Sequence, residues 1–311
     1  FEGAASQRIG ARFQDRLRSR SLAGEADLRN VGMFDQRRTR DRTIQSDAIA
    51  IGRLIGILGI VYVHSWLRSS MGEIKAAPAG IYAIYWGIGE FFGRGSTPLL
   101  AVISGWLAGP SLKKRLYPRF VRDKAQTLVL PAVLWFVPSI PFIFMLQHTG
   151  SQPVWTAGDY VNELFALTGM PPFNMQFHFL RDLFVCMLFV PLFVQLPGIG
   201  LALTALAALV CAVLDIRTYI FLKPFIPLFF IVGIALRRGS LDFLSRWYAV
   251  VAGAALYLGP GSFLVWLDTV YRREQLLGFM LPGAPPEWVV NLSYVGLRIG
   301  AAILAWNLAL W

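Results

Sequence analysis

Apolar residues along this chain gather into long runs separated by short polar breaks, and most of the runs are long enough to cross a lipid bilayer as a helix, which takes about 17–25 residues. We place runs at 48–67, 81–109, 125–147, 176–196, 199–214, 219–236, 247–270 and 288–311, eight in all. The pattern predicts an all-α, polytopic transmembrane helix bundle. The 199–214 run is short, and 125–147 carries Pro131, Pro138 and Pro141, whose missing amides imply kinks that neighbouring helices must absorb.

Residues 1–46 interrupt this pattern. They are polar and Arg-rich, with no apolar core of a signal peptide, and we read them as a cytoplasmic tail ahead of a membrane domain at 47–311. Basic residues then orient the spans. The 110–124 connection holds six of them, Lys113, Lys114, Arg115, Arg119, Arg122 and Lys124, and 237–246 holds Arg237, Arg238 and Arg246. Both belong on the cytoplasmic side. The 148–175 connection has no Lys or Arg and belongs on the other, as counting spans from a cytoplasmic N-terminus requires. The 271–287 connection, with Arg272 and Arg273, is then external and fits the rule less well.

Composition agrees with a membrane protein. Of 311 residues 56% are hydrophobic and only 15% charged, and the mean hydropathy is +0.54. A soluble domain carries about 25% charged residues. The net charge of +11 sits at the ends of apolar runs without a groove-reading motif, so topology rather than nucleic acid accounts for it. Cys186 and Cys211 lie inside apolar runs as small core residues, and we read no metal site. The chain starts at Phe1 and stops at Trp311 within an apolar run, so we expect it to be incomplete, a missing C-terminal helix included.

Ionisable residues inside the runs are the candidates for chemistry, because each is costly in hydrocarbon. Arg53 and His64 are eleven residues apart in the first run. At 3.6 residues per turn they share a helix face and stand roughly 16 Å apart along the axis. Glu90 and Arg94 in the second run have the i,i+4 spacing of an intrahelical pair, and Gly93, Gly95 and Pro98 predict a broken or kinked helix there. Ser104 and Gly105 allow close helix approach or a polar ligand contact. Each of these also has a structural reading, as a hydrogen-bonded histidine or a simple ion pair.

Taken together, these features resemble the acyltransferase 3 family of polytopic membrane acyltransferases, over roughly 47–200. The family's Arg and His of the first helix fall on Arg53 and His64. Its Pro and Ser-Gly stretch is similar to RGSTPLLAVISGWL, matching Arg94, Ser96, Pro98, Ser104, Gly105 and Leu107. Its R-x-x-R pattern falls on Arg119 and Arg122, and QFHFLRDLFV carries over Arg181 and Asp182. The chain departs from the family at His178, where Trp is usual, and at Ala50, where Asp is common, and it is one or two helices short of the family's ten or so.

The resemblance implies an O-acyltransferase of the bacterial inner membrane that moves an acetyl or succinyl group from acyl-CoA to a hydroxyl of an exported or lipid-linked polysaccharide, in exopolysaccharide biosynthesis. It implies His64 as general base, and Arg53 or Arg94 at the thioester carbonyl. Arg119, Arg122 and Lys124 then hold the phosphates of acyl-CoA, a co-substrate rather than a cofactor, while Glu90, Arg94, Ser104, Arg181 and Asp182 line the substrate path. The expected partners are acyl-CoA, the saccharide and membrane lipid. A transporter or flippase of a lipid-linked saccharide is the rival, since intramembrane Arg, Glu and His with a helix break also describe a substrate path. No paired broken helices stand in corresponding halves, which counts against it. A scaffolding subunit is a second rival, and leaves the four buried ionisable residues with only one another to serve.

Overall fold

The computed structural model describes residues 46–62, 79–150, 154–165, 176–216, 218, 220–239, 246–275 and 285–310. The chain divides into two units, Phe1–Ala50 and Ile51–Trp311. Of the first, residues 46–50 are described and are helical. The expected N-terminal tail otherwise lies outside the described residues.

All regular structure among the described residues is helical. Helix α1 covers 51–62. Helix α2 (Ala79–Ile88) passes through a π-helical turn (Gly89–Arg94) into α3 (Ser96–Lys113). The short α4 (Tyr117–Lys124) runs through a second π turn (Ala125–Val129) into α5 (Leu130–His148), followed by α6 (Ala157–Phe165). Then come α7 (Gln176–Leu188), α8 (Val190–Gln195), α9 (Gly198–Val213), α10 (Phe225–Arg238), α11 (Trp247–Gln275) and α12 (Glu287–Leu310).

Three described helices are long and apolar enough to cross a membrane: Tyr117–His148, Trp247–Asp268 and Glu287–Leu310. Other expected spans fall on shorter or interrupted helices. The 81–109 run is interrupted at Gly95, the 176–196 run at Phe189, and α9 and α10 have 16 and 14 residues. Each piece alone falls below the roughly 20 residues that a continuous span needs.

Glycines set the closest helix crossings. Val102 to Trp106 on α3 and Phe230 to Gly233 on α10 meet backbone to backbone: a Cβ on Gly105 would strike the Phe230 carbonyl, and one on Gly233 the Val102 carbonyl. Helices α11 and α12 cross antiparallel, with Gly300 against the backbone of Tyr257 and of Gly253. In lipid there is no hydrophobic drive between helices, so such small-residue contacts carry the packing. One core joins α3, α4, α7, α8 and α10 around the fully buried Phe120, Cys186, Val190 and Phe230. A second, under α5, gathers Ala132, Phe136, Ile143 and Leu222.

Polar side chains close the helix ends. Arg238 donates to the carbonyls of Phe193, Val194 and Leu196 at 2.9, 2.8 and 2.7 Å, satisfying the free C-terminal carbonyls of α8. Thr156 and Asp159 open α6 reciprocally. Thr156 donates its hydroxyl and its amide to Asp159 Oδ2, both at 2.7 Å, and Asp159 N donates back to Thr156 Oγ1 at 3.3 Å. The hydroxyl donation, then the amide one, holds the Asp159 carboxyl below the usual carboxylate range.

Candidate active site

The π turn is the local departure from α-helix that shapes the site. One extra residue is wound into the turn, so Gly95 N donates to Glu90 O at 2.8 Å, five residues back. Such a bulge frees backbone carbonyls, which in hydrocarbon must find donors. Ser96 Oγ donates to the Phe92 carbonyl. From α11, Tyr257 Oη donates to the Gly87 carbonyl, with its ring edge-on to Phe91 at 5.6 Å. Glu90 is buried within this turn and lies in electrostatic reach of Tyr257.

Helix α1 runs antiparallel to α3 along a stripe of glycines. Gly52 faces Ile103, Gly56 faces Leu100, and Gly59 rests directly on the Phe92 carbonyl and Ser96 Oγ of the π turn. Tyr62, three residues on, meets the Phe92 ring edge-on at 6.3 Å. The Arg53 end of α1 therefore lies beside the middle of α3, and its far end beside the π turn. His64 lies outside the described residues, as does the Arg94 side chain, although the Arg94 backbone completes the turn.

Arg53 projects away from the glycine stripe toward α4, where Lys124 is close enough to feel its charge as well as that of Arg115. Lys124 Nζ rests over the Phe120 ring at 5.6 Å. Arg115 and Asp123 form an ion pair beside it, and the Asp123 carboxylate partly offsets the charges of Arg53 and Arg115 that Lys124 feels. Arg119 and Arg122 are exposed on α4, whose opposite face anchors through Phe120. Such an arrangement of cations suits a polyanion. Ser104 is half-buried on α3, one residue from the α10 crossing.

Arg181 and Asp182 are drawn into a different place. Asp182 is fully buried, accepting from Arg181 Nη1 at 2.6 Å and from Lys223 N at 2.7 Å, and Arg181 Nη1 also donates to the Ile220 carbonyl at 2.6 Å. The pair ties α7 to the turn between α9 and α10.

The structure adds two residues that the sequence reading passed over. Tyr257 braces the π turn, as above. Arg298 lies mid-way along α12, its guanidinium 4.2 Å over the Phe225 ring and 5.9 Å from that of Tyr294. One turn further on, Ala301 packs on Gly95 and Gly300 on Tyr257, so α12 brings Arg298 to the level of the π turn. An arginine inside the last apolar run was a signal of an unusual residue.

Comparison with known proteins extends the likeness beyond the first half of the chain. The model of the acyltransferase 3 family, described as an acyltransferase domain, matches residues 47–310. The chain is similar to the succinoglycan biosynthesis protein ExoH of Rhizobium meliloti (strain 1021), at 28% identity over 82% of this chain and 73% of that protein. No solved structure matches. With a match reaching from α1, which carries Arg53, to α12, which carries Arg298, the chain belongs to the acyltransferase 3 family and is an acyltransferase.

Proposed function

We propose that this protein transfers an acetyl or succinyl group from acyl-CoA to a sugar hydroxyl of an exported or lipid-linked polysaccharide, at the bacterial inner membrane with its N-terminus cytoplasmic. The placing of Arg53 within electrostatic reach of Lys124, beside the exposed Arg119 and Arg122, carries the reading. One carboxylate, Asp123, stands among five cations here, and the excess positive charge is relieved by an anion, of which the diphosphate and 3′-phosphate of CoA supply several. Family membership supports the acyl transfer, and the relative's role in succinoglycan biosynthesis supports a saccharide acceptor.

Chemistry follows from the donor's entry at this basic mouth. The pantetheine arm reaches past Arg53 along α1 toward His64. The His64 imidazole takes the proton of the sugar hydroxyl as its oxygen attacks the thioester carbonyl, an imidazole pKa near 6.5 being suited to that exchange. The tetrahedral oxyanion is stabilised by Arg53 or Arg94. Collapse breaks the carbon–sulfur bond, and the leaving thiolate recovers the proton from the imidazolium. The ester product remains on the sugar.

The test is acyl transfer by the purified protein with isotopically labelled acetyl-CoA or succinyl-CoA, alongside mass spectrometry of exported polysaccharide from cells with and without the gene. His64→Gln keeps bulk and hydrogen bonding but removes the base, so turnover should fall by about 10²–10⁴-fold with thermal stability unchanged. Near-normal turnover in that variant removes the base assignment. An unaltered ester content together with lost export would instead identify a transporter.

A further inference from the structure

The tyrosine that braces the π turn does so at one particular step of the helix ladder. In an uninterrupted α-helix the Phe91 amide donates to the Gly87 carbonyl, four residues back. Here Tyr257 Oη donates to that carbonyl, and the Phe91 amide bonds the same hydroxyl. The phenol of α11 thus stands between two backbone groups that a straight helix would join, at the place where α2 gives way to the π turn. A side chain inserted into the ladder is one of the few causes of such an irregularity. Both flanks are fixed. Gly300 of α12 packs on the Tyr257 backbone with no room for a Cβ, and Ala301 packs on Gly95 at the end of the turn.

A hydroxyl that only satisfied a stray carbonyl would matter to stability alone. One that holds the ladder open also fixes the rotation of α2 against α3. Without it, Gly87 and Phe91 bond to each other, the turn tightens toward α, and the residues before it rotate by one position. One position is about 100°, which at a Cα radius of about 2.3 Å carries each Cα by about 3.5 Å. Glu90 is buried in this turn and in electrostatic reach of Tyr257, so its carboxylate leaves that place when the turn tightens. We propose that the Tyr257 hydroxyl is a positioning residue for acyl transfer: by keeping the step from Gly87 to Phe91 open, it sets the rotation at which α2 and Glu90 face the substrate path. This rests on the acyl-transfer reading above.

The test uses the full chain in lipid nanodiscs with labelled acetyl-CoA and succinyl-CoA. Tyr257→Phe keeps the ring edge-on to Phe91 and removes only the hydroxyl. Gly87 and Phe91 then satisfy each other, so thermal unfolding should change little. Since about 1 Å of misplacement can cost about 10²-fold, kcat per folded molecule should fall at least about 10²-fold, with the donor KM unchanged because the basic loop is untouched. Replacing Tyr257 by 4-aminophenylalanine keeps a donor and should restore kcat, whereas 4-fluorophenylalanine, of similar size without a donor, should not. Nitroxide labels on the exposed Ile84 of α2 and Leu292 of α12 read the rotation directly, and their separation should change by about 3 Å or more in Tyr257→Phe. Unchanged kcat per folded molecule, an unchanged separation, or equal loss with both unnatural residues overturns the proposal. If the wild-type chain transfers nothing from any acyl-CoA, the acyl-transfer reading fails, and the label separation alone still decides whether Tyr257 sets the rotation of α2.

Discussion

Alanine placed along the glycine stripe of α1 should produce a graded series, because each Cβ meets a different obstacle. At Gly52 it meets Ile103 Cδ1 at 3.1 Å, the tip of a flexible side chain, and Ala309 Cβ at an ordinary 3.9 Å. Gly52→Ala should therefore be neutral within about 0.5 kcal/mol. At Gly56 it meets Leu100 Cγ at 2.7 Å, and Leu100 must change rotamer, at about 0.5–1.5 kcal/mol if it is left off its well. At Gly59 the obstacles are the Phe92 carbonyl and Ser96 Oγ, both fixed by the π turn, so α1 itself must back away. Overpacking of this kind costs about 1–3 kcal/mol, against a gain in helix propensity of up to about 1 kcal/mol for glycine to alanine. Catalysis should suffer more than stability, since about 1 Å of misplacement can cost about 10²-fold. Thermal unfolding and acyl transfer of the three purified variants, each in the same detergent, give the two readouts. Equal stability and turnover for Gly59→Ala and Gly52→Ala would refute the claim that α1 is seated on the π turn.

Charge-neutral Arg119→Gln and Arg122→Gln should raise the donor KM with kcat and insertion unchanged, and Lys124→Gln should add to that effect; donor dependence like that of the wild type at normal expression would remove these residues from the donor site. Asp182→Asn breaks a fully buried pair and sets an amide against the Lys223 N–H, so stability should drop by about 3–5 kcal/mol while kcat per folded molecule holds, as thermal unfolding and active-site titration would show. A lower kcat at unchanged stability would instead put Asp182 on the substrate path. Asp159 has a depressed pKa when folded, so its cap stabilises the start of α6 above the ordinary carboxylate pKa of about 3.9 and is lost as pH falls through the depressed value. Amide exchange at Val161 and Asn162 should accelerate in that acid window in the native protein, and Asp159→Asn should abolish the pH dependence.

Apolar runs and their punctuation were legible in the sequence because hydropathy acts locally: a segment that is apolar over enough residues becomes helix in lipid whatever its neighbours are. The family was legible too, since Arg53, the Ser104–Gly105 stretch and the Arg119, Arg122 pattern recur at fixed separations along one chain. Glu90 and Arg94 flagged an irregular turn, but its character was not written locally. A π turn survives there because Tyr257, over 160 residues away, takes up the Gly87 carbonyl. Arg181 and Asp182 read as site residues by their motif alone, and only the fold shows them binding the turn before α10. The nearness of Arg53 to Lys124, the level of Arg298 and the ring contacts of Phe144 and Trp155 with Tyr160 likewise depend on which helices cross and at what register. Register is set by glycine contacts and buried side chains distant in sequence, so it belongs to the assembled bundle and not to any one segment.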